Sequence, residues 1–421
     1  PHLWSFSMPT NDLNLPFKDK IIESKKLLKK QITDLPQRFA QLTQLIESEI
    51  QQIEQERAQG IEPIPELEFA DLKNTSVEQI QKIKRRGCLV IRNVFDRKKV
   101  EAWNDDIVEY LASNHYLEKS VAKRGIDQYF STLASSKPQI YGIYWSKSQM
   151  QARQSPELAE ARKWLNRLWK YEHEGKAVFN PDLECLYADR VRQRQPGDAS
   201  LGLSAHCDAG SIERWIDGPF REVYREIFKG DVTKYDAFDA AFRTETNEIP
   251  SPAVSSVFRT FQGWTALTPQ GAGDGTLNII PTVLAVPYML LRALQDDVAE
   301  DDLCNAQAGR AMVVSKDHHE LLLRAYGPIP KVYPGDTVWW HPDVLHGVED
   351  VHRGTGYSNV IYIGAAPSCD KNNRFLELQK TAFEEGLSSP DFAPENYEVD
   401  FKNRFTVEEL TPLGRQQMGY K

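Results

Sequence analysis

Nine histidines and five cysteines in a chain of 421 residues leave few ways to build a reactive centre. One histidine stands two residues from an aspartate in the strand-like run LGLSAHCDAGS (201–211). Side chains alternate faces along a strand, so His206 and Asp208 project one way and Cys207 the other. Their Cβ atoms then lie roughly 6–7 Å apart, a gap that one metal ion at about 2.1 Å from each ligand atom can bridge. A second run, PGDTVWWHPDVLHG (334–347), passes from a Pro-Gly-Asp turn through a tryptophan-rich strand to His346. Two histidines and one carboxylate form the facial set that grips one side of an octahedral ion and leaves the other positions open, a set suited to Fe(II). A closed zinc site would need a fourth protein ligand and usually thiolates. The cysteines, at 88, 185, 207, 304 and 369, form no CxxC pair.

The other histidines have weaker claims. His352 falls in a polar turn and is expected to be solvated. His318 and His319, adjacent in SKDHHELLL, cannot share one helical face and read as surface residues. His115 and His173 have no partner in sequence and read as structural or exposed. Arg259 interrupts the apolar run SVFRTFQGWTAL (256–267), where a guanidinium needs an anion, either a ligand or a structural ion pair.

Short strands are expected to position these groups. From about 183 to 366, apolar or alternating runs broken by Gly and Pro dominate, the pattern of an all-β core. A polar, partly helical insertion at 213–255 interrupts it, of the kind that forms lids or substrate contacts. Upstream, SVEQIQKIKRRG reads as a helix capped by Ser76 and ended by Gly87, followed by the buried strand CLVIRNV. DRKKVEAWNDDIVEYLASN is a further helix, and SPELAEARKWLNRLWK another, with Ser at the cap and Pro in the first turn. Within 17–59, Leu28, Ile32, Leu35, Phe39, Leu42, Ile46, Ile50 and Ile53 recur every three or four residues as one helical stripe. Pro36 forces a kink there, or two consecutive helices. The stripe is expected to pack on the protein's own body, with a homodimer seam as the alternative. TVEELTPLGRQQMG carries a capping box of Thr406 and Glu409. The expected organisation is a disordered or extraneous N-terminus at 1–15 and a helical region at 16–60. One domain from 61 to 421 then bears the 213–255 insertion and a helical tail.

Composition narrows the function classes. A net charge of −9 offers no basic footprint for nucleic acid or an anionic membrane. No apolar run approaches the roughly 20 residues of a membrane span, and the first residues show no signal-peptide core. The odd, scattered cysteines point to reduced thiols and a cytoplasmic protein.

HCD at 206–208, GDGTLNIIP at 273–281 and GDTVWWHPDVLHG at 335–347 resemble the core of the Fe(II)/2-oxoglutarate-dependent dioxygenases, particularly the phytanoyl-CoA-hydroxylase-like branch. In that branch a Gly-Asp turn precedes the second histidine at the distance seen from Gly335–Asp336 to His346, and RRGCLVIRNVF (85–95) resembles its N-terminal strand. Nearly the whole chain after about residue 15 resembles the bacterial YbiU-like oxidoreductase family. YWSKSQMQARQS (144–155), WLNRLWK (164–170), GSIERW (210–215), SVFRTFQGWTAL (256–267) and VIYIGAAP (360–367) carry that likeness.

The resemblance implies an α+β fold: a double-stranded β-helix (cupin-like jelly roll) core with a helical N-terminal region and flanking helices. It implies His206, Asp208 and His346 as Fe(II) ligands, 2-oxoglutarate as co-substrate, and O₂ with a small-molecule substrate as reactants. A C–H bond would be hydroxylated with release of succinate and CO₂. His341 then belongs beside the metal or to the pocket wall, together with Tyr187, Arg214, Trp264 and Trp340. Such tryptophans most often mean core packing, yet an oxidant must be kept from bulk water. Members of the superfamily fork an arginine onto the distal carboxylate of 2-oxoglutarate, roughly ten or more residues past the second histidine. This chain has Gly356-Tyr357-Ser358-Asn359 there. The candidates for that contact are Arg259, the early Arg353, and the hydroxyls of Tyr357 and Ser358. The missing late arginine keeps a second reading open: a cupin-type metal-dependent isomerase or hydrolase using the triad as a Lewis acid. A catalytically silent binding module is the third reading, and three intact ligands argue against it.

Overall fold

The computed structural model describes residues 12–122, 138–200 and 205–420. Two sheets lie at its centre. The larger runs, in spatial order, Glu66–Glu68, Cys88–Arg92, Thr337–Trp340, Gln262–Ala266, Ser358–Tyr362, Val191–Arg194 and Ile140–Tyr141. Its first pair is parallel and the rest antiparallel. The smaller runs Met312–Val313, His206–Cys207, His346–Val348, Leu277–Ile279 and Gly327–Pro328, antiparallel throughout.

Alternation along the strands divides the interior into layers. Val338 and Trp340 face inward with Cys88, Val90, Trp264 and Val360, and meet Leu277 and Ile279 of the smaller sheet. Trp339 turns outward among Leu89, Ile91 and Ile361, under the helices Arg97–Ser113 and Pro156–Asn166. Both faces of the larger sheet are thus buried, which is why CLVIR and TVWW read as continuous apolar runs. The outer face of the smaller sheet, with Cys207 and Met312, packs against the N-terminal helices and the helix Ala285–Arg292. The fold is therefore a mixed α and β arrangement of two sheets with helices outside each.

The N-terminal stripe forms two helices, Lys18–Gln31 and Leu35–Ala58, and the chain turns at Asp34 in left-handed conformation (φ 56°). Pro36 lies in the first turn of the second helix, where no amide proton is needed. Leu28, Leu42, Ile46, Ile50 and Ile53 are fully buried on the protein's own body. Each such side chain contributes about 1.5–3 kcal/mol by leaving water. Buried Arg86, the last residue of the helix Val77–Arg86, ties that helix to Leu35–Ala58 through Glu49 (3.0 Å) and Glu56 (3.1 Å).

Local signals land where expected at Ser76, whose capping box with Gln79 opens Val77–Arg86, and at Gly87, which ends it at φ 67°. Ser155 caps Pro156–Asn166. Two expectations change. The strand read through 201–211 shrinks to His206–Cys207, because Ala209 (φ 64°) and Gly210 (φ 95°) turn the chain away; 201–204 lie outside the described residues. The Thr406–Glu409 box closes only a 3-10 turn, and the last helix, Pro412–Gln417, is capped by Thr411. Of the segment 1–15, residues 1–11 lie outside the described residues, and a 3-10 turn begins at Leu15. The 213–255 stretch is short helices whose Trp215, Phe220, Tyr224, Ile227 and Phe228 belong to the core. No helix among the described residues is long and apolar enough to cross a membrane.

Candidate metal centre

His206 and His346 are direct partners on neighbouring antiparallel strands. Such partners share a face with Cβ atoms about 4.5–5.5 Å apart, and the two rings lie 4.5 Å centroid to centroid. Asp208 reaches the same point. Its Oδ1 is 3.5 Å from His206 Nε2 and its Oδ2 is 3.6 Å from His346 Nε2. One ligand atom from each residue lies within 4.8 Å of the others, and the group has three members among the described residues. Ligand atoms sharing one ion at about 2.1 Å sit roughly 3–3.4 Å apart, so the gap is one ion wide.

Proton placement supports a cation here. His346 Nδ1 lies 3.2 Å from the Val344 carbonyl. A carbonyl only accepts, so the ring proton is on Nδ1 and Nε2 turns a lone pair toward the carboxylate. Two acceptors face each other, and a cation between them resolves the conflict. Burial and the neighbouring charge of His206 push His346 down to about 4, keeping the ring neutral as a ligand must be. Burial alone would raise the Asp208 carboxyl. Hydrogen bonding to His206 and the charges of His346, His206 and Arg259 outweigh it and hold the carboxyl well below the usual range. Cys207 points the other way into the core, its thiol pushed up to about 12 by burial.

Two further groups hold the ligands in place. Gln262 Nε2 donates to Asp208 Oδ2 (2.5 Å) while its Oε1 accepts from Trp340 Nε1. Trp340 also packs on His346, 4.9 Å between centroids. Beneath the loop after Asp208, Arg214 donates to the carbonyls of Asp208 (3.3 Å) and Gly210, where φ of 95° favours a residue without Cβ. The same guanidinium lies 3.7 Å from Asp343, which accepts from Arg243 Nη2 and the Tyr224 hydroxyl (2.9 Å each). Asp343 stands three residues before His346, so one buried charge cluster braces both ligand segments.

The triad opens into a cavity of about 190 Å³. Tyr187, Arg259, Trp264 and Trp340 line it, with Tyr362, Arg190 and Arg192. Residues 252–255 and the tail's Asp391 and Phe392 bound it, and Asp391 accepts from Ser256 N (2.9 Å) and Oγ (2.5 Å). Arg259 lies over the Tyr187 ring at 5.2 Å and forms no ion pair among the described residues.

Other candidates fall outside the cavity. Arg353 is exposed in a surface turn beside Asp350 (3.3 Å). Tyr357 is half exposed, donating to Gln195, and the buried Ser358 hydroxyl donates to the Asp274 carbonyl. They begin a strand whose cavity-facing residue is its last, Tyr362. His341 is buried against Trp169 (4.8 Å), donating from Nε2 to the Ala237 carbonyl and accepting at Nδ1 from Asp343 N. It shares neither the cavity nor the metal group. Arg214 supports the loop from below. His352 is buried rather than solvated, its Nδ1 accepting from Gly354 N, and His319 is buried with Nδ1 accepting from Ser315 N.

Sequence reasoning missed Gln262, Asp343 and Arg192. Gln262 and Asp343 carry no spacing signal. Arg192 had one: arginines at 190, 192 and 194 alternate through a β run.

A family model described as Gig2-like matches residues 15–420. The Escherichia coli (strain K12) protein YbiU is 44% identical over 406 residues, 96% of each chain. A crystal structure from Salmonella typhimurium LT2, named "Putative Oxidoreductase", matches with a TM-score of 0.91 at 42% identity, covering 99% of both chains. The Candida albicans protein GlcNAc Inducible Gene 2 matches with a TM-score of 0.77 at 27% identity, covering 97% of this chain and 90% of that one.

Proposed function

The chain belongs to the Gig2-like family, and we propose that it is a mononuclear non-haem Fe(II)- and 2-oxoglutarate-dependent oxygenase on a double-stranded β-helix core. The observation that carries this reading is the register of His206 against His346, which brings two imidazoles and Asp208 to one point facing a cavity. Two nitrogens and one carboxylate with room beside them suit iron with exchangeable positions better than a closed structural ion. With iron bound, the centre supplies O₂ activation coupled to oxidative decarboxylation of 2-oxoglutarate to succinate and CO₂, and hydroxylation of a substrate C–H bond.

The chain's own residues prepare that chemistry. The Val344 carbonyl fixes the His346 ring, and Gln262 orients Asp208. Arg259, whose charge both Asp208 and His346 feel, is placed to take the distal carboxylate of the co-substrate. Trp264, Trp340 and Tyr362 keep bulk water from the reacting atoms. Five free, buried thiols support a reducing, cytoplasmic setting. Anaerobic addition of Fe(II) and then 2-oxoglutarate should produce a visible charge-transfer band, and air should then yield succinate. Absence of both signals refutes the proposal.

A further inference from the structure

We infer that the primary substrate is a small organic oxyanion, a carboxylate or phosphate compound, whose charged group is received by Arg192. This residue lies on Val191–Arg194, opposite Val360 and Ile140 in register, and lines the cavity. It is 6% exposed. Its Nε and Nη2 are buried with no hydrogen-bond partner among the described residues. A guanidinium does not shed its proton in a protein, so the charge stays and lacks a counterpart. Burying a charge that way is unfavourable unless something pairs with it. A ligand is the partner this geometry leaves room for.

The cavity's own carboxylates are engaged elsewhere. Asp189 pairs with Arg190 (3.3 Å), and Asp391 accepts from Ser256 and from the Tyr187 hydroxyl (2.8 Å). Arg194, on the same face two residues on, donates to the carbonyls of Gly275 and Asp198 and adds positive potential. The inference rests on the oxygenase reading in one respect: Arg259 serves the co-substrate. Two guanidinia without an ion-pair partner in one chamber then match two anions. Trp264, Tyr362 and Ile140 give the wall an apolar part suited to a compact carbon skeleton.

The test uses Mn(II)-loaded protein saturated with 2-oxoglutarate. It is titrated calorimetrically with hydroxy-monocarboxylates and sugar phosphates, each beside its neutral analogue. At least one anion class should bind wild type on top of 2-oxoglutarate, its neutral analogue at least tenfold more weakly. R192Q should weaken that anion at least tenfold while 2-oxoglutarate affinity stays within twofold. Whether carboxylates or phosphates win identifies the class. In ligand-free protein, R192M should raise Tm by about 2 °C or more, since an unpaired buried charge has gone. Four results overturn the inference: no anion binding, displacement of 2-oxoglutarate by the anion, loss of 2-oxoglutarate affinity in R192Q, or a lower Tm for ligand-free R192M. If Mn(II) and 2-oxoglutarate fail to bind wild type, the oxygenase reading fails. Anion titration of metal-free protein and the Tm comparison then still decide the role of Arg192.

Discussion

Gln262→Leu should cost the protein metal affinity and stability by comparable amounts. The side chain is buried, and leucine fills nearly the same volume. Two hydrogen bonds disappear: the donation to Asp208 Oδ2 at 2.5 Å and the acceptance from Trp340 Nε1. A bond to a charged group is worth about 1.5–3 kcal/mol. The Asp208 side chain is 28% exposed, so the lower end applies. The stranded indole N–H adds about 1 kcal/mol, giving a total near 2–3 kcal/mol of stability. Losing an orienting partner typically lowers metal affinity about 10–100-fold, or roughly 1.4–2.7 kcal/mol. Gln262→Glu separates the two contributions. It can still accept from Trp340 but sets a second carboxylate against Asp208 in place of a donor. Competition titrations with Fe(II) or Mn(II), beside circular dichroism and thermal melts, measure both effects. A folded Gln262→Leu protein with metal Kd within twofold of wild type refutes the idea that this glutamine positions the carboxylate.

His206→Ala, Asp208→Ala and His346→Ala should each abolish stoichiometric metal binding by elemental analysis while the far-ultraviolet spectrum stays native, since all three face the cavity. Asp343→Asn should cost about 3–5 kcal/mol at neutral pH by leaving Arg243 and Arg214 without their buried carboxylate. Burial would raise the Asp343 carboxyl, but Arg243, His341 and Arg214 depress it, so the stabilisation is full above about pH 4. It is lost as pH falls through the still lower folded value, and the gap to the variant in urea unfolding should close under strong acid. Arg259→Gln should weaken 2-oxoglutarate at least tenfold in spectroscopic titration, whereas Arg353→Ala, on the surface, should leave it unchanged.

The grouping of His206, Asp208 and His346 was legible because histidine and aspartate two apart in a strand-like run, with a distant histidine after a Gly-Asp turn, is a local pattern that survives without coordinates. Caps at Ser76 and Ser155 were legible for the same reason, since their partners lie three residues away. Burial of His319, His341 and His352 was not, because each is accommodated by backbone groups brought close by turns or by a distant segment such as Ala237. Of the candidates for the co-substrate contact, Tyr357 and Ser358 lie away from the cavity because the strand reaches it only at Tyr362. Arg192 escaped notice because alternation alone does not say which face of a strand is enclosed; its strand is paired on both sides and the residue is buried.

The tie between Asp391 and Ser256 makes the far end of the chain part of the chamber's rim. A polypeptide halted before that aspartate could carry all three ligand side chains yet lack a closed vessel around them. Enclosure of that chamber therefore depends on the segment that carries Asp391, and products clipped before it should leave His206, Asp208 and His346 open to solvent.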